Sequence, residues 1–158
     1  MQAARNFAFV LLVVAIVGCV STQPSSATAK RLSPEERAVV EPLQGVLDGL
    51  AARDRNRIAA QLLPGGSATL MRNGKPVQMG FSVFADRLST PGTDTREERI
   101  YEPLVHIDNN IAFIWTRYDF LLNGKLDHCG MDSASLVKVD DHWLIASLGD
   151  NSRTNCGK

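Results

Sequence analysis

The chain has 158 residues, 44% of them hydrophobic, and its 17 Lys plus Arg balance 17 Asp plus Glu, leaving no formal net charge at pH 7. With no net positive field and no run of Lys and Arg, the composition argues against nucleic acid as a partner. From Ser33 onward the length suits one domain with one core, and no internal repeat or second linker argues for more.

Arg5 is followed by an unbroken apolar run from Phe7 to Val17 and then by Gly18-Cys19. A weakly basic start with a short apolar core reads as a secretory signal, since a membrane span needs about 20 apolar residues. The segment Ile16-Val17-Gly18-Cys19 resembles the bacterial lipobox, in which a small residue precedes a cysteine that receives a diacylglycerol. That resemblance implies a signal peptide over residues 1–19, lipidation at Cys19 and attachment to the cell envelope. Because Val20 rather than Asp follows the cysteine, it also implies the periplasmic face of the outer membrane. A rival site, Ala27-Thr28-Ala29, would instead release a soluble periplasmic or secreted chain after Ala29. Residues 20–33, rich in Ser, Thr, Ala and Pro, read as a flexible tether.

Ser33-Pro34-Glu35-Glu36 is a helix start, with Ser as cap, Pro in the first turn and acids at the positive end of the dipole. Val39, Val40, Leu43, Val46, Leu47 and Leu50 follow helical spacing and define one apolar stripe, with Pro42 expected to kink the helix or split off its first turn. A short helix is expected over Asp54 to Leu63, stopped by Pro64-Gly65-Gly66. Next come a hairpin, Ala68–Met71 with Val77–Met79 around Asn73-Gly74, and a third helix from about Ser82 to Leu88. Beyond Thr95 the pattern is all strand: Ile100–Ile107, Ile111–Phe120, Leu126–Val139 and Trp143–Leu148. Helices first and a long meander last predict an α+β domain over residues 34–158.

The element order, together with Trp115-Thr-Arg-Tyr118-Asp-Phe120, Gly124, His128-Cys129-Gly130-Met-Asp132 and Trp143-Leu-Ile145 with Asp150, resembles the nuclear transport factor 2-like (NTF2-like) superfamily, in its exported bacterial branch. The resemblance implies a cone-shaped curled antiparallel sheet with the N-terminal helices packed on its concave face.

Two-residue turns at Asn123-Gly124, Asp108-Asn109 and Asp140-Asp141 give a register that pairs Asp119 with His128, Arg117 with Gly130, Trp115 with Asp132 and Phe113 with Ala134. One face then runs from an apolar floor to polar groups, and its candidate ligand-binding residues are Glu102, Phe113, Trp115, Arg117, His128 and Asp132. The same cluster also reads as a wet rim in which Arg117 neutralises the acids, and one bulge between Trp115 and Tyr118 would exchange the faces beyond it. The other face carries Ile114, Tyr118, Phe120, Met131, Leu144 and Leu148; superfamily members commonly dimerise sheet to sheet, which implies a homodimer through these residues.

In an exported chain Cys129 and Cys156 are an even remainder once Cys19 takes lipid, which favours a disulfide over two free thiols. Zinc is not expected, because Cys129 and Asp132 have opposite strand parity, and no phosphate loop, nucleophile elbow or nucleotide motif suggests a cofactor. Among the superfamily's enzymes, ketosteroid isomerase-like chemistry wants an early Tyr, and none precedes Tyr101; dehydratase-like chemistry wants paired histidines, and His106 and His128 stand apart. A polyketide cyclase- or isomerase-like enzyme with Asp132 as general base is the alternative to the leading expectation. That expectation is an envelope-anchored binding or accessory protein for a small apolar or amphipathic molecule, with Trp115 and Trp143 as aromatic contacts.

Overall fold

The computed structural model describes residues 31–157. Cys19 and the Ala27–Ala29 site, on which the anchoring expectations rest, lie outside these residues.

Helix α1 (Pro34–Ala52) opens on a reciprocal cap: the Glu36 N–H donates to Ser33 Oγ at 3.1 Å, and the Ser33 N–H donates to Glu36 Oε2 at 2.7 Å. The helix runs on through Pro42 without splitting, so the loss of one N–H bond is absorbed within a continuous element whose Val39, Leu43, Val46 and Leu50 are buried. Helix α2 (Arg55–Ala59), capped by Asp54, stops short of its expected end at Leu63. The Gln61 carbonyl instead accepts the Ile145 N–H at 2.9 Å, and Leu62 already belongs to strand β1 (Leu62–Arg72). Pro64-Gly65-Gly66, expected to end a helix, is an irregularity within that strand.

Strand β2 (Lys75–Gly80) returns through Asn73-Gly74 and leads directly into helix α3 (Phe81–Leu88). Strands β3 (Arg96–Asp108), β4 (Ile111–Leu122), β5 (Lys125–Val139) and β6 (His142–Arg153) then form the long meander. The sheet order is β2-β1-β6-β5-β4-β3, and every pairing is antiparallel except β1 with β6, which run parallel. The sheet is curled but not closed. Ile114, Ala134, Leu136, Ile145 and Leu148 on its inner face pack with Val39, Leu43 and Val46 of α1 and Phe81 and Phe84 of α3 in one core. Trp143 joins this core at 9% exposure, so it is not a free aromatic contact.

Three register shifts bend the meander: at Glu102-Pro103 in β3, at Asp127 in β5 and at Ala146 in β6. The shift at Asp127 overturns the register expected from the sequence. Leu121 pairs with Leu126, but Phe120 pairs with His128, so every later pair slips by one: Tyr118 with Gly130, Thr116 with Asp132, Trp115 with Ser133 and Ile114 with Ala134. A one-residue slip moves a whole strand's side chains to the other face. Trp115 and Asp132 therefore lie on opposite faces. Ile114, Tyr118, Phe120 and Leu148, expected on a dimer surface, face inward to the core and cavity, and only Met131 and Leu144 of that set lie half-buried outside it. The turn before β4 is also displaced by one residue, to Asn109-Asn110, with Asp108 paired to Ile111.

The Cys129–Cys156 disulfide is present, with the two Cα atoms 5.8 Å apart, and it holds the tail after β6 against β5. Closing a loop of 27 residues restricts the unfolded chain by about 3–4 kcal/mol in the entropic account.

Candidate functional site

The corrected register lays out the concave face in rows. Thr116, Asp132 and Asp150 form one row on β4, β5 and β6, with Leu70 of β1 beyond; Ile100, Tyr118, Gly130 and Ser152 form the next; and Glu98, Phe120 and His128 form a third. Helix α1 covers them with Leu43, Val46, Leu47 and Leu50, and α3 with Phe84 and Leu88. What remains between sheet and helices is a cavity of about 140 Å³, whose polar lining consists of Arg72, Glu98, His128, Asp132 and Asp150.

Asp132 is only 4% exposed. Its carboxyl is hydrogen-bonded to that of Glu98, and among the described residues no other group partners its buried Oδ2. Burial, followed by the negative charge of Asp150, pushes the Asp132 carboxyl up to about 7, against the opposing pull of Glu98 and Arg72. Glu98 is held well above the usual carboxylate range by burial and by the charges of Asp132 and Asp150. Two acids this close do not both ionise, so around neutrality they share one proton, with Glu98 as its donor and Asp132 as the acceptor.

Asp150 is neutralised by a two-pronged ion pair with Arg72, whose Nη2 stands 2.6 Å from Asp150 Oδ2 and whose Nη1 reaches Oδ1. Tyr118, fully buried, donates to the Asn151 carbonyl at 2.9 Å, and burial beside the three acids raises its phenol. His128 stacks on Phe120 with ring centroids 4.6 Å apart, and its Nδ1 lies 2.8 Å from Asp127 Oδ2. The site can therefore hold or move one proton at Asp132 near neutral pH, in walls that are otherwise apolar.

Of the residues proposed from sequence, Asp132 and His128 line this cavity. Glu102, Phe113, Trp115 and Arg117 do not. Phe113 and Trp115 are 38% and 42% exposed on the convex face, and the Arg117 guanidinium lies over the Tyr101 ring at 4.3 Å. Glu102 sits in the β3 bulge with φ 48° and borders a shallow convex depression shared with Trp115 and Arg117. Sequence reasoning missed Glu98, Arg72, Asp150 and Phe120 as site residues. Glu98 has the inward parity of Ile100 and was discoverable by extending β3 back to Arg96, whereas nothing local in the sequence pairs Arg72 with Asp150.

The family described as "Putative lumazine-binding" matches residues 34–148. No match was found among curated proteins. Similar solved structures include an NTF2-like superfamily protein from Salmonella enterica, 19% identical over 77% of this chain and 93% of that one, with a TM-score of 0.62. A protein of unknown function with a cystatin-like fold from Nostoc punctiforme is 8% identical over 78% and 96% of the two chains, with a TM-score of 0.64. A protein described as "Putative Scytalone Dehydratase" from Novosphingobium aromaticivorans is 14% identical over 75% and 84%, with a TM-score of 0.63. At these identities the likenesses speak to the fold alone. The chain belongs to the "Putative lumazine-binding" family, and its domain is an NTF2-like cone of helices on a curled sheet.

Proposed function

We propose that this protein is an envelope-anchored small-molecule-binding protein whose ligand occupies the helix-covered cavity with a polar end on Asp132. The observation that carries this reading is the Asp132 carboxyl, which is 4% exposed and lines the cavity with no hydrogen-bond partner besides Glu98 among the described residues. An unsatisfied buried oxygen costs about 1–3 kcal/mol, and a ligand that brings a donor recovers that cost. The family's description, which names lumazine binding, supports a small molecule as the ligand. A cavity of about 140 Å³ takes a group the size of a single aromatic ring, so a larger ligand would present one ring to it.

A second reading is favoured by one specific feature, the proton shared between Asp132 and Glu98: the same cavity in an isomerase- or cyclase-like enzyme with Asp132 as general base. Mass spectrometry of whatever co-purifies identifies the molecule, and Asp132→Asn then separates the readings. A binder leaves that molecule unchanged in both forms, whereas an enzyme converts it in the wild type and loses roughly two or more orders of magnitude of turnover in the variant.

The anchoring rests on Ile16-Val17-Gly18-Cys19 at the end of the apolar run, and the outer-membrane destination on Val20. The intact mass of the mature amino terminus is expected to show a lipid-modified Cys19, and an unmodified chain beginning at Lys30 would overturn the anchor. For a sheet-to-sheet homodimer, Met131 of the set drawn from the sequence still supports the reading, joined on the convex face by Leu104, Phe113 and Trp115.

A further inference from the structure

The charges around the cavity do not cancel. Facing Asp132 are Glu98 from β3, Tyr118 from β4, Asp150 from β6 and Arg72 from β1, with His128 further along β5; α1 and α3 contribute only apolar side chains to the lining. Arg72 and Asp150 neutralise each other in their two-pronged pair. Glu98 and Asp132 hold one proton between them, so above neutrality they retain one negative charge that nothing in the cavity compensates. A buried, uncompensated charge is costly, and here it falls on a side chain that lines the cavity and whose one hydrogen-bond partner among the described residues is another carboxyl.

We infer that the cavity selects a compact cationic amine or amidine carrying a single ring, with its N–H group against the Asp132–Glu98 pair and its ring among Leu43, Val46, Phe84 and Leu148. This rests on the reading of the cavity as a ligand site and adds the ligand's charge. A positive N–H donor supplies both a hydrogen bond and the counter-charge that the carboxyl pair lacks, and hydrogen bonds between charged partners are roughly twice as strong as neutral ones. A carboxylate ligand would add a second negative charge to the same walls, so it is selected against.

The test is calorimetric titration of the purified protein at pH 6, 7 and 8 with benzylammonium, benzyl alcohol and benzoate, three probes that share one ring. Benzylammonium is expected to bind tightest at pH 8. Its affinity should rise roughly tenfold from pH 6, as Asp132 passes from mostly protonated to mostly ionised. Benzyl alcohol should bind about tenfold more weakly than benzylammonium at pH 8 and show no such rise. In Asp132→Asn the preference for the cation should vanish while the alcohol still binds, and the wild-type pH profile carries the test even if that variant folds poorly. Binding of the alcohol or of benzoate at least as tightly as benzylammonium at pH 8 would sink the cationic assignment and leave the ligand site standing. If none of the three binds, both fall.

Discussion

Asp132→Asn is expected to raise the melting temperature at pH 8 and to leave it close to the wild type at pH 4. In the folded chain the Asp132 carboxyl is pushed up to about 7, whereas in the unfolded chain it returns to its ordinary value, 3.8. The folded state therefore binds the proton more tightly. The stability this contributes is fully present below the unfolded value, declines as pH rises between about 4 and 7, and is gone above the folded value. From there on the wild type carries the ionised group in its core, and Asn does not. A carboxyl at 4% exposure is barely screened by solvent, so the gain at pH 8 should be on the order of 2–4 kcal/mol. Glu98 remains buried in the variant and keeps its own pH dependence, so the comparison to make is variant minus wild type across the range. Urea unfolding at pH 4, 6 and 8 measures it. A difference that stays flat from pH 4 to 8 would mean that Asp132 titrates as it does in the unfolded chain, and the poised proton would be lost with it.

Local chemistry made most of the elements legible. The Ser33 cap, the stripe on α1 and the turns at Asn73-Gly74, Asn123-Gly124 and Asp140-Asp141 all stand where capping, helical period and positive φ place them. The parallel pairing of β1 with β6 was not legible, because it joins segments far apart in the chain and leaves no local signature. The site was half legible. Asp132 and His128 lie in the cavity because their parity along β5 was counted beyond the bulge, while Trp115, Phe113, Arg117 and Glu102 were assigned across a turn whose register Asp127 breaks. Nothing in Leu126-Asp127-His128 announces an extra residue. A bulge is a tertiary accommodation of the sheet's curl, and here its consequence is to turn Asp132 inward beside Glu98, the feature on which the functional reading depends.

Gly130→Ala should be among the most destabilising single substitutions in the sheet, far beyond Gly124→Ala. The two glycines are needed for different reasons. At Gly124 an added Cβ meets nothing within 4 Å, and the cost is confined to holding φ at 73° in the turn, about 1 kcal/mol. At Gly130 the same carbon would stand 1.9 Å from the Asn151 carbonyl oxygen and 2.7 Å from Cε1 of Tyr118. That carbonyl is backbone of β6 and also accepts the Tyr118 hydroxyl, and the Tyr118 ring is fully buried, so neither neighbour has room to retreat. Overpacking of this kind forces backbone shifts costing about 3 kcal/mol or more. Tyr118 lies in the row between those of Asp132 and Glu98, so displacing it should also disturb the shared proton. Urea unfolding of both alanine variants against the wild type decides the matter: a Gly130→Ala cost no larger than that of Gly124→Ala would show that Tyr118 is not wedged over Gly130.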